Sequence, residues 1–172
     1  MPLNRVSIPN EEIYAQIKTL IDEGHDVTIA VVGTSMQPFF ESYRDEIMLT
    51  KCSAPKVNDV VLARTDHNLY AAHRVTAICG QRFTMRGDGN VYGTETAAFS
   101  DIIGVVNHYR RCGAKEFRKL DSLRWRWHTL TWPRNTTLRR LALAFHHHIY
   151  LKLLWLAKKP EWIELERKRR KK

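Results

Sequence analysis

Six short runs rich in apolar and β-branched residues, at 27–32, 46–51, 58–64, 69–78, 82–86 and 101–108, constrain this chain more than any other feature. Turn signals lie between them: Ala54-Pro55, Asp66-His67-Asn68 and Gly87-Asp88-Gly89-Asn90. Short strands at this spacing pair with their neighbours, which predicts a mainly β fold, a small antiparallel, barrel-like domain. The residues before them, 7–24, read as a helix. Ser7 or Asn10 supplies a cap, and Glu11 and Glu12 favour the positive end of the helix dipole. Ile13, Ile17, Leu20 and Ile21 make one stripe and Gly24 supplies the stop, so this helix is expected to pack over one end of the sheet.

The first run, Val27-Thr28-Ile29-Ala30-Val31-Val32, reads as a buried strand and leads directly into Gly33-Thr34-Ser35-Met36-Gln37-Pro38. Glycine lets the backbone turn sharply, and Pro38 keeps Gln37 out of the helical region. A strand that ends this way presents Ser35 at a rim. Taken alone, that is a strand-to-loop turn with a serine in it.

A second stretch changes its meaning. Residues 69–78 read as a strand that contains His73, and 83–90 as a strand running into a Gly/Asp/Asn turn. The ordered set of Gly33, Ser35, Met36 and Pro38, then His73-Arg74-Val75, then Arg86-Gly87-Asp88 and Asn90 resembles the signal peptidase I superfamily, which includes the self-cleaving repressor peptidases. The resemblance covers roughly residues 12 to 108. The histidine resembles the endoplasmic-reticulum and archaeal branch, which pairs serine with His where the bacterial housekeeping enzymes and the repressors carry lysine. The resemblance implies the same β fold.

It also implies a chemistry. A serine hydroxyl needs a base to take its proton as it attacks, and an ordinary imidazole is mostly neutral at pH 7 and can do so. Ser35 is then the nucleophile and His73 the base. Strand alternation puts Arg74 on the face opposite His73. In the His branch an acid near the glycine turn orients the imidazole. Asp88 and Glu95 are level candidates here, with Asp101 behind them, and Asp88 also suits a role bracing the turn. The Ser35 amide is the natural oxyanion donor. Gly33 stands where the housekeeping enzymes carry a hydroxyl, so Thr34 or another amide must assist. Met36, Phe39 and Phe40 either line a shallow groove for small substrate side chains or belong to the core, and Pro38 shapes the turn beside them. His25, His67 and His108 are assigned no chemistry. No metal or organic cofactor is implied.

Charge divides the chain in two. Residues 1–113 hold 11 Lys/Arg against 13 Asp/Glu, a net of −2; residues 114–172 hold 17 against 5, a net of +12, together with all five tryptophans. The expected organisation is therefore a β domain with its N-terminal helix at 1–113 and a basic, Trp-rich, amphipathic helical tail at 114–172. Within the tail, Leu123-Arg124-Trp125-Arg126-Trp127 alternates apolar and basic residues. Asn135 can cap a helix running to about Ala157, with Leu138, Leu141, Phe145, Ile149, Leu153 and Leu156 on one side. Such a segment is either a solvated basic tail that packs partly on the domain, or a docking segment for an anionic membrane surface or a protein partner; nucleic acid suits it less well, because no helix-turn-helix precedes the β domain as it does in a repressor. Three adjacent histidines, 146–148, do not converge on one ion when they sit on a helix.

Cys52, Cys79 and Cys112 are odd in number and lack ligand spacing, which argues against zinc and a disulfide framework and for a reducing compartment. The N-terminus does not read as a secretory signal, and no 18-residue apolar run occurs. The expected location is cytoplasmic, with peripheral contact at the inner membrane. Two functions are carried forward. One is a serine endopeptidase that cuts an extended peptide or leader segment through Ser35 and His73. The other is a non-catalytic, membrane-docked peptide-binding module of a secretion or peptide-modification system.

Overall fold

The computed structural model describes residues 10–156. Ser7 and the basic run 167–172 lie outside the described residues. Helix α1 (Asn10–Asp22) is followed by β1 (Val27–Ala30), β2 (Asp45–Thr50), β3 (Val60–Arg64), β4 (Tyr70–Cys79), β5 (Arg82–Arg86), β6 (Glu95–Ala98) and β7 (Ile102–Arg111). These seven strands form one curled antiparallel half-barrel in the order β1-β2-β7-β3-β4-β5-β6, and the two-residue β8 (Arg118–Lys119) pairs with β7. Register shifts between Met48 and Leu49, Leu62 and Ala63, and Val75 and Ala77 add local twist where the sheet must curl.

Strand β3 shows why the sheet can carry apolar residues at consecutive positions. Val60 and Leu62 face one cluster with Ile17, Ile21, Phe40 and Leu49, while Val61 and Ala63 face another with Val75, Phe83 and Met85. Both faces of the central strand are covered, so period-2 alternation disappears from its sequence. β1 behaves differently from expectation. It is the terminal strand and alternates between half-buried and exposed residues, so its β-branched run belongs to a sheet edge and not to a buried centre. In α1, Ile17 and Ile21 are buried, whereas Ile13 and Leu20 stay partly exposed at the rim. Gly24, at φ +95°, closes the helix with its amide on the Ile21 carbonyl.

The basic segment continues as α2 (Leu123–Thr131), α3 (Thr136–Phe145), a π-helical turn (His146–Tyr150) and α4 (Leu151–Leu156). The Asn135 side chain caps α3, accepting from the amides of Thr137 at 2.9 Å and Leu138 at 3.3 Å. Across the expected boundary near Gly113, Leu120 joins the core cluster and Trp125 packs against it, stacked on Phe40 at 5.4 Å between ring centroids. No disulfide forms among the described residues, and no helix among them is long and apolar enough to cross a membrane.

Candidate active site

The glycine turn and the serine loop are built against each other. The chain leaves β1 and is held to the loop that follows by the Val31 amide on the Asp45 carbonyl, the Tyr43 amide on the Val31 carbonyl and the Gly33 amide on Ser42 Oγ, at 2.9, 2.9 and 3.1 Å. It then winds through tight turns over 35–40, where the Gln37–Pro38 peptide is cis and Pro38 is half-buried. On the far side, the Gly89 amide donates to the Ser35 carbonyl at 2.7 Å. A Cβ at Gly87 would stand 2.4 Å from that same carbonyl, and one at Gly89 would stand 2.5 Å from the Thr34 carbonyl. Only glycine permits this approach, and the approach fixes the backbone of Ser35.

Ser35 and His73 line one cleft of about 410 Å³. Glu95 and Asn90 line it too, as do Val31, Gly33, Met36 and Ala72. His73 sits on β4 opposite Val61 of β3 and is buried; Glu95 opens β6 opposite Met85 of β5. Curling of the sheet brings the Glu95 carboxylate onto His73 Nδ1 in a short, direct contact. Of the three acids considered from sequence, Glu95 is therefore the one at the imidazole. Among the described residues no hydrogen bond joins the Ser35 hydroxyl to the His73 ring, whose Nδ1 is taken by Glu95. Likewise no described group accepts from the Ser35 amide. Gly33, at φ +96°, has open space where a Cβ would be. Thr34 is exposed beside it and spends its carbonyl on the Gln37 amide at 3.1 Å.

Asp88 and Asp101 serve elsewhere. Asp88 is buried and receives Arg74 Nε at 2.9 Å and Nη2 at 2.7 Å. Arg74 does leave the His73 face, as alternation predicts, but it does not reach solvent. Its guanidinium lies 5.1 Å from the Phe39 ring centroid and 5.2 Å from that of Trp125, and Nη1 donates to the Asn58 carbonyl at 2.9 Å. Asp101 accepts from the Ala98 amide at 3.3 Å in a 3-10 turn. Met36 and Phe40 are buried and still line the cleft, whereas Phe39 packs edge-on against Trp125 and Trp132.

The basic segment also reaches the turn. Trp132 Nε1 donates to the Asp88 carbonyl at 3.1 Å, and Arg139 Nη1 donates to the carbonyls of Asn90 at 3.1 Å and Gly87 at 3.4 Å. Burial and the neighbouring Arg86 charge hold the Arg139 pKa below its ordinary value. Further along, His146 Nε2 meets Glu41 Oε1 at 2.5 Å, and Gln37 Nε2 donates to Glu41 Oε2 at 2.7 Å. Burial alone would raise the Glu41 pKa; hydrogen bonds from His146 and Gln37 and the charge of Arg44 outweigh it and hold the group below its ordinary value. The one sequence signal for these braces is that a buried Asp in a glycine turn requires a cation, and Arg74 is the adjacent candidate. Among the described residues no group of three or more His, Cys, Asp or Glu is placed to hold a metal ion. The chain matches no family model and no curated protein.

Proposed function

We propose that this chain is a serine peptidase of the signal peptidase-like kind, acting on a peptide or leader segment bound in extended form. The observation that carries the reading is the shared cleft, lined by Ser35 and by His73, whose Nδ1 is held by Glu95. A carboxylate on Nδ1 fixes the tautomer, which assigns proton exchange with Ser35 to Nε2. Ser35 Oγ attacks the scissile carbonyl while His73 Nε2 takes its proton. The oxyanion forms beside the Ser35 amide, and His73 returns the proton to the departing amine. Water, deprotonated by His73, then releases the acyl group from Ser35.

The terminal position of β1 supplies a place for the substrate. An extended segment can add as a strand along the outer edge at Ala30 and Val32, which line the cleft together with Ala71 and Ala72 of β4. This small apolar lining suits small side chains near the scissile bond. The second reading, a groove that binds peptides without cutting them, is favoured by the Ser35–His73 pair lacking a hydrogen bond and by the bare Gly33. Mass spectrometry of extended leader peptides incubated with the protein separates the two. Cleavage that disappears in Ser35→Ala and His73→Ala supports the peptidase; saturable peptide binding with no cleavage supports the module.

A further inference from the structure

The helical run over 136–156 turns its residues the opposite way from an ordinary surface helix. Arg139, Leu143 and His146 face the domain and are buried, with Arg139 on the turn carbonyls and His146 on Glu41. Leu138, Leu141, Phe145, Ile149, Leu153 and Leu156 face outward, each between 47% and 67% exposed. Their spacing of three and four residues makes one continuous seam along the helix. On the neighbouring α2, Trp127 is 67% and Leu130 73% exposed. An apolar surface of this extent, held outward by polar groups that point in, marks a contact surface.

Charge identifies what covers it. Residues 122–156 contain six Lys/Arg and no Asp/Glu, and Arg126, Arg134, Arg140 and Lys152 are exposed. The sequence beyond, 157–172, adds eight Lys/Arg against three Glu. A second copy would bring the same positive charge to the contact. Nucleic acid would meet the cations but would leave a leucine and phenylalanine seam without an apolar partner. An anionic lipid bilayer satisfies both, because acyl chains take the seam and headgroups take the cations.

We infer that the outward face of residues 123–156 is a docking surface for an anionic lipid bilayer, on which the helix lies in the plane of the interface. No helix among the described residues is long and apolar enough to span the membrane, which fits a segment that lies on it. The inference stands whether or not Ser35 cuts peptides.

Flotation of the full chain with vesicles of phosphatidylcholine, with and without phosphatidylglycerol, tests it. The protein is expected to float with the anionic vesicles and to dissociate above roughly 0.5 M salt, where screening acts within a few ångströms. Lys152→Glu removes a positive charge at the flank of the seam, near the headgroups, which weakens partitioning by at least about fivefold, the equivalent of ~1 kcal/mol. Leu141→Glu with Phe145→Glu abolishes flotation without lowering the melting temperature, since both positions are exposed. Quenching of tryptophan fluorescence by brominated lipid gives the same answer on the unaltered chain. Failure to float with anionic vesicles overturns the inference, as does flotation that the two glutamates leave unchanged. It is equally overturned by self-association or nucleic-acid binding that those glutamates abolish while vesicles are ignored.

Discussion

Gly87 touches the backbone of the proposed nucleophile, which makes Gly87→Ala a sharp test of how the serine is positioned. The new Cβ would lie 2.4 Å from the Ser35 carbonyl oxygen, 2.9 Å from Asn90 Nδ2 and 3.0 Å from Asn90 Cγ. Ordinary contact begins at 3.4 Å, so 3.4 less 2.4 leaves a shortfall of 1.0 Å. The obstacle is backbone, and it cannot swing aside as a side chain would. Overpacking of this kind costs about 1–3 kcal/mol, which for a domain of this size lowers the melting temperature by about 2–12 °C. The displacement falls on Ser35 and loosens the Gly89–Ser35 hydrogen bond. A misplacement of about 1 Å at reacting groups can cost on the order of 10²-fold in rate. Gly104→Ala is the control: its Cβ would meet the Thr50 carbonyl and Ile21 Cδ1 at 3.0 Å, away from the cleft. Calorimetry and peptide turnover per folded molecule should show both variants destabilised and only Gly87→Ala slowed. A Gly87→Ala protein with unchanged melting temperature and rate would refute the positioning argument.

Arg74→Met should destabilise the protein by about 3–5 kcal/mol in urea titration, because Asp88 is left buried without its cation; a loss under about 1 kcal/mol would mean that Asp88 finds another partner. Glu41, whose folded pKa is lowered, contributes stability that is fully present above its ordinary value of 4.5 and is lost as pH falls through the folded value. Glu41→Gln should therefore flatten the acid limb of melting temperature against pH, and an unchanged limb would contradict the assignment. Glu95→Gln should lower kcat by about 10²- to 10⁴-fold with KM little changed, whereas Asp101→Asn should leave kcat unaltered; equal effects from the two would remove Glu95 from its role.

What the sequence reveals here depends on how local each cause is. β2, β3, β4, β5 and β7 are legible because their β-branched and apolar residues report burial directly, and the cap at Asn135 because its bonds reach two and three residues along. β6 is not legible: Glu95-Thr96-Ala97-Ala98 has one β-branched residue and earns its place only by pairing with β5. The edge position of β1 is equally hidden, since strand order is a property of the whole sheet. At the site, His73 and Ser35 stand out by type and surroundings. The choice of Glu95 over Asp88 does not, because the curl of the sheet decides it, together with the capture of Asp88 by Arg74. The apolar seam at 138–156 is plain in sequence, but its outward direction follows from Arg139 and His146 binding partners that lie 49 and 105 residues away in the chain.

Covalent trapping tests the central proposal most directly. A peptidyl phosphonate that reacts with activated serines is incubated with the full chain, and the adduct is located by peptide mass spectrometry. The account predicts one adduct, on Ser35, whose rate of formation collapses in His73→Ala and falls strongly in Glu95→Gln. A folded protein that gives no adduct, or labels Ser35 equally fast without His73, would contradict it.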